Sequence, residues 1–141
     1  MTQLSKASAV AIVVMLVLSL TACPKGNREK ALIYMRDFQV ALESVQDAEI
    51  AAHKQGFVSD GDHVTFQGTI VKIAVFGKAA NEALRRGNQD VVTQLDAALA
   101  QLDELQTAGL LAVKNEQTRA SLSALLLTVR IIITSAKVEA Q

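Results

Sequence analysis

The chain has 141 residues, of which 50% are hydrophobic, 20% are charged and only 4% are aromatic. Its 14 basic and 14 acidic residues cancel, which excludes both the basic footprint of a nucleic-acid-binding protein and the acidic composition of a disordered tail. A single cysteine excludes an intramolecular disulfide framework and a zinc site made of several cysteines. The length fits one domain.

The first 22 residues differ in composition from the rest of the chain. Residues 1–6 are mostly polar and carry one positive charge, at Lys6, whereas residues 7–22 carry no charge and are rich in Ala, Val and Leu. This uncharged stretch is shorter than the roughly 20 residues that a helix needs to cross a bilayer. A positive start, a short apolar centre and small residues at the boundary predict a secretory signal peptide over residues 1–22.

The boundary has the sequence Leu20-Thr21-Ala22-Cys23, and Cys23 is the one cysteine in the chain. An aliphatic residue, two small residues and a cysteine resemble the lipobox of bacterial lipoproteins. The resemblance implies cleavage between Ala22 and Cys23 and attachment of diacylglycerol to the sulfur of Cys23. It also implies a place in the bacterial cell envelope, anchored to lipid of the inner or the outer membrane, with the mature domain outside the cytoplasm.

Residues 23–26 form the predicted tether between this lipid and the domain, which we assign to residues 27–141. At no more than about 3.6 Å per residue, the tether spans roughly 14 Å. The domain is therefore expected to lie close to its membrane, and a partner is expected near the bilayer.

The mature chain is divided by regular helix start and stop signals. Asn27 is a plausible first N-cap, and the first helix is expected to end at Gly56, where a glycine is followed by the apolar Phe57. Its apolar positions recur at spacings of three and four, which predicts one buried stripe. That stripe comprises Ala31, Met35, Phe38, Leu42, Val45 and Ala52.

Three further helices are predicted by the same signals. The second begins around residues 60–62 and ends at Gly87, the third begins at Asn88 and ends at Gly109 with Leu110, and the fourth runs from Asn115 to about Val138. Residues 69–76 are rich in β-branched side chains and favour a strand locally. We interpret them as helix because the chain offers no second strand to pair with them. The predicted fold is an all-α antiparallel bundle of about four helices.

Imidazole and carboxylate side chains cluster around the first loop. Glu49, His53, Asp60, Asp62 and His63 include ligand types that bind zinc, copper or nickel, although their spacing matches no metal motif. The other interpretation is structural: His53 interacts with the negative C-terminal end of the first helix, Asp60 or Asp62 caps the second helix, and His63 is solvated. We favour the structural interpretation and predict no metal.

Signals of catalysis are weak. The chain has no Gly-x-Ser-x-Gly elbow and no glycine-rich phosphate loop, and the adjacent Asp103 and Glu104 fit a solvated helix face. We therefore predict that the protein is not an enzyme and takes no cofactor apart from the covalent lipid at Cys23.

The fourth helix is apolar on two faces. One stripe is the expected core, and the second comprises Ala120, Ala124, Leu127, Ile131 and Val138. Either neighbouring helices cover this second stripe, or it forms a surface for a protein partner, a second copy or lipid, with Ala124, Leu127 and Ile131 at its centre. The expected function is that of a non-enzymatic interaction or structural module of the envelope. The alternative is a ligand- or metal-binding envelope protein that uses the bundle cavity or the His53/His63 loop.

Overall fold

The computed structural model describes residues 27–141. The predicted signal peptide, the lipobox Leu20-Thr21-Ala22-Cys23 and the tether lie outside the described residues. The described chain forms four α-helices and contains no strand. They are α1 (Asn27–Lys54), α2 (Asp60–Arg86), α3 (Val91–Glu104) and α4 (Glu116–Ala140). The all-α prediction is confirmed, including the helical state of the β-branched residues 69–76.

The helices pack in a ring of antiparallel neighbours. The most extensive contacts join α1 to α4 and α2 to α3, and smaller ones join α1 to α2 and α3 to α4. The beginning of α1 lies beside the end of α4, where Lys30 Nζ is 3.9 Å from Glu139 Oε2. The tether predicted before α1 therefore joins the bundle next to the last turn of α4.

The core consists of one apolar face of each helix and includes the stripe predicted for α1. On α1, Ala31, Met35, Phe38, Leu42, Val45 and Ala52 are all buried, and on α4 the buried positions are Leu122, Leu126, Val129, Ile133 and Ala136. In the β-branched part of α2, Ile70 and Ile73 face this core. Burial of one face of each helix is the main driving force for such a bundle.

Two glycines end helices as predicted. Gly56 has a φ of 76°, and the amide of Phe57 donates to the carbonyl of Ala52 over 2.9 Å, which is the Schellman arrangement. Gly87 has a φ of 70° and ends α2 in the same way, with Asn88 donating to Ala83. Only glycine adopts this left-handed conformation without a steric cost.

The predicted end of the third helix is wrong. Helix α3 does not stop at Gly109 but continues through a π-helical turn, Leu105–Gly109, and Gly109 has no positive φ. Its small size serves packing instead: a Cβ at this position would lie 3.2 Å from a ring carbon of Phe66.

The π turn changes the direction in which the following residues point. Each α-helical residue advances by about 100°, so Leu110 would lie roughly 120° away from the stripe through Ala98 in an uninterrupted α-helix. The wider i→i+5 turn delays this advance by about one residue. As a result Leu110 is buried in the bundle core.

Candidate functional site

A buried carboxylate lies between α1 and α2. Glu49 is fully buried and occupies the gap that the apolar stripe of α1 leaves between Val45 and Ala52. Nδ1 of His63 lies 2.9 and 3.0 Å from the two oxygens of Glu49, and the side-chain amide of Gln67 donates to one of them. Gln46 in turn donates to Gln67 over 3.1 Å. We call Gln46, Glu49, His63 and Gln67 the polar cluster.

His53 packs against this cluster without bonding to the carboxylate. Its ring stacks on that of His63 with centroids 4.1 Å apart and planes inclined by 8°. Because the carbonyl of Val58 can only accept, Nδ1 of His53 donates to it over 3.1 Å. The opposite nitrogen of His53 lies 3.6 Å from the exposed carboxylate of Asp60. These contacts hold the end of α1 against the beginning of α2.

The five residues of the metal alternative are thus only partly brought together. Glu49, His53 and His63 are in contact, whereas Asp62 is engaged with Ser59, whose hydroxyl lies 2.5 Å from its carboxylate and accepts from its backbone amide. Within residues 27–141, no group of three His, Cys, Asp or Glu side chains is arranged to hold a metal ion. The contacts differ from the structural interpretation in two respects: Ser59, and not an aspartate, is the N-cap of α2, and His63 is bonded to Glu49 instead of being solvated.

The second apolar stripe of α4 faces solvent. Leu127, Ile131 and Val138 are 51%, 58% and 64% exposed, and Ala120 and Ala124 are exposed as well. The interpretation in which neighbouring helices cover this stripe is therefore wrong. Thr134 is exposed on the same face. We call Ala120, Ala124, Leu127, Ile131, Thr134 and Val138 the outer stripe.

The charged residues that border the outer stripe are bound to α3. Nε of Arg130 donates to Gln106 over 2.9 Å, and its guanidinium also pairs with Asp103. Nζ of Lys137 donates to Asp96 over 2.6 Å. Asp103, which the sequence suggested to be only solvated, therefore links α3 to α4. The two cations point toward α3 and leave the outer stripe uncharged.

Helix α4 is also long and apolar enough to cross a membrane, judged by length and composition alone. Residues Glu116–Ala140 contain a window with a mean hydropathy of 1.6. One face of this helix forms the bundle core, and core helices commonly reach such values.

A cleft of about 390 Å³ lies between α1 and α2 on another side of the bundle. Its lining includes the buried side chains of Phe38, Leu42 and Ile70, and its charged residues are Glu43 and Lys78. The volume lies in the range of small-molecule sites. The sequence suggested a bundle cavity as an alternative ligand site but indicated no particular lining residue.

No protein-family model matches the chain, and neither does any curated protein or solved structure.

Proposed function

We propose that the protein is a lipid-anchored module of the bacterial cell envelope that acts by binding a partner and not by catalysis. The observation that carries the proposal is the sequence Leu20-Thr21-Ala22-Cys23, with the one cysteine of the chain at the position that lipoproteins modify. A thioether-linked diacylglycerol carries two acyl chains, and two chains anchor a protein far more durably than one. In this proposal the anchor lies in the inner or the outer membrane and the helical bundle lies outside the cytoplasm.

The outer stripe of α4 supports the binding role. An exposed, uncharged apolar face is typical of a surface that another molecule covers. The tether of four residues keeps such a contact near the membrane. The central residues of the outer stripe, Ala124, Leu127 and Ile131, are the proposed partner face.

The intact mass of the full chain tests the anchor. The protein is produced in a bacterial host, extracted from membranes with detergent and compared with the Cys23→Ser variant. We expect a chain that begins at Cys23 and carries diacylglycerol, and an unmodified variant. An unmodified chain that begins near Met1 would overturn the lipoprotein proposal.

The paired substitution of Leu127→Ser and Ile131→Ser tests the partner face. We expect unchanged folding by circular dichroism and loss of self-association or of co-purifying proteins. The matched control is Val40→Ser with Val64→Ser, at two exposed valines of α1 and α2. If both pairs leave self-association and co-purification unchanged, the outer stripe has no partner.

The cleft between α1 and α2 favours a second candidate function, the binding of a small elongated apolar ligand. Lys78 at this cleft would suit an anionic end of such a ligand. Fluorescence of 1-anilinonaphthalene-8-sulfonate measures occupancy, and Ala74→Phe, which fills the cleft, should abolish the signal. If the fluorescence is the same with and without Ala74→Phe, the probe does not bind in the cleft.

A further inference from the structure

The outer stripe has the spacing of a two-stranded coiled-coil seam. Its residues alternate at intervals of four and three from residue 120 to residue 138. In heptad terms, Ala124, Ile131 and Val138 occupy a positions, and Ala120, Leu127 and Thr134 occupy d positions. Among parallel coiled coils, β-branched residues at a with leucine at d favour two strands, and Ile131, Val138 and Leu127 follow this pattern.

The residues beside this seam permit a second copy to approach. The e positions are Ser121, Thr128 and Ser135, which carry no charge. At the g positions, Arg130 and Lys137 are neutralised by Asp103 and Asp96 of the same chain. Two copies packed in parallel would therefore meet without repulsion between like charges, and Leu127 would pack against Leu127 of the other copy.

A lipid surface fits the outer stripe less well. Helices that lie in the membrane interface combine aromatic side chains with lysine and arginine available to anionic lipid. The outer stripe contains no aromatic residue, and the two cations that border it are bonded to α3.

The position of the amino-terminal segment sets the relative direction of the two copies. Residues 1–26 join α1 at the end of the bundle where Lys30 contacts Glu139 of α4. In a parallel pair of α4 helices both such ends lie on the same side. Two copies anchored through Cys23 would then reach one membrane, which is the part of the inference that rests on the proposed function.

From these observations we infer that the outer stripe of α4 binds a second copy of this chain, with the two α4 helices parallel. The seam is about 27 Å long and roughly 10 Å wide, which is well below the about 800 Å² per partner of a standard stable interface. The pair is therefore weak in dilute solution and forms where a shared membrane raises the local concentration.

Disulfide cross-linking of the full chain tests this arrangement. Ala124→Cys and Val138→Cys are made separately, and whole bacterial lysates are oxidised before any fractionation so that the chain is captured wherever it resides. The matched control is Val75→Cys, at a valine of similar exposure on α2, the helix diagonally opposite α4. The parental chain gives the background from Cys23, and peptide masses identify each link.

We expect about fivefold more dimer from each α4 variant than from Val75→Cys, because parallel helices place identical a positions opposite each other. Adding Ile131→Lys to Val138→Cys should return the yield to the control level without changing the circular dichroism spectrum, since Ile131 is exposed. Lipid as the occupant would give dimer at control level for every variant, and that result overturns the proposal.

An antiparallel pair would instead link Ala120→Cys with Val138→Cys when the two variants are mixed, and that result overturns the parallel arrangement. Intact masses of the same samples report the anchor separately. Dimer formed by an unmodified chain would refute the anchor alone. A lipidated chain that gives no dimer above the control would refute the second copy alone. For an unmodified chain, the oxidation is repeated on the purified protein at millimolar concentration, and absence of dimer above the control there would refute both.

Discussion

The polar cluster and the outer stripe both depart from the usual arrangement, in which apolar side chains are buried and charged side chains are exposed, but they do so in opposite directions. In the polar cluster a carboxylate lies in a stripe of buried apolar residues, and in the outer stripe leucine, isoleucine and valine lie where charged residues are usual. Glu49 has its partners, His63 and Gln67, within the same chain. The outer stripe has no covering group among residues 27–141. A buried carboxylate whose hydrogen-bond partners lie in the same chain indicates a role in stability, whereas an exposed apolar face that no described residue covers indicates a binding surface.

Adjacent leucines of α4 give the sharpest test of this contrast. Leu126 is fully buried and Leu127 is 51% exposed. We expect Leu126→Ala to lower the free energy of unfolding by about 3 kcal/mol, because it leaves a cavity in the core. Leu127→Ala should lower it by no more than about 0.5 kcal/mol. Urea unfolding of both variants checks the difference, and equal losses would mean that the outer stripe is buried in the folded monomer.

Removing His63 tests whether the polar cluster is satisfied internally. We expect His63→Ala to cost about 2 kcal/mol, since it leaves the Glu49 carboxylate buried with fewer partners. This expected loss is small for removing a partner of a buried charge, because the His63 side chain is 26% exposed and water can replace part of its contact with Glu49. Adding Glu49→Gln removes the buried charge and should recover about 1 kcal/mol. A double variant as unstable as the single one would assign the loss to packing alone.

Two glycines of α2, one of them at the cleft, test how closely α1 and α2 approach. A Cβ at Gly77 would lie 2.1 Å from a ring carbon of Phe38, whereas a Cβ at Gly68 meets nothing within 4 Å. We expect Gly77→Ala to cost about 1–2 kcal/mol because Phe38 must move. Gly68→Ala should stabilise the protein by about 0.5 kcal/mol through helix propensity. Thermal melting of both variants measures these changes in stability. A stabilising Gly77→Ala would mean that α1 and α2 are farther apart than the structure shows.

The ion pair between Lys137 and Asp96 has the smallest expected effect on stability. Both side chains are partly exposed, so Asp96→Ala should cost only about 0.5 kcal/mol, and the cost should shrink at high salt. Asp47→Ala, at an exposed carboxylate of α1, is the control. A loss at Asp96 that does not depend on salt would show that the contact between α3 and α4 depends on packing rather than on charge.

The sequence predicted the features that depend on local pattern. Spacings of three and four identified the buried stripes of α1 and α4, and cations followed by glycine located the stops at Gly56 and Gly87. The burial of Glu49 could also have been inferred, because it falls at the empty position between Val45 and Ala52. Its partners could not, since Gln67 lies 18 residues away and only the packing of α2 on α1 brings them together.

Two features, the continuation of α3 past Gly109 and the exposure of the outer stripe, depend on tertiary contacts. Gly109 is followed by an apolar residue as Gly56 is, although no cation precedes it, and the ring of Phe66 on α2 occupies the space where a side chain would lie. For the outer stripe, the sequence left the covered and the exposed alternatives open, because an apolar face does not specify its neighbours. The ring order of the four helices decided between them.

The adjacency of the first and last helices has a consequence for the order of folding. The contact between α1 and α4 is the most extensive in the bundle, yet it joins residues as distant in the chain as Lys30 and Glu139. Helices α2 and α3 are separated by a short connection and can pair while the loop that closes α1 onto α4 is still open. During synthesis α1 emerges first and must wait for its main partner, which emerges last.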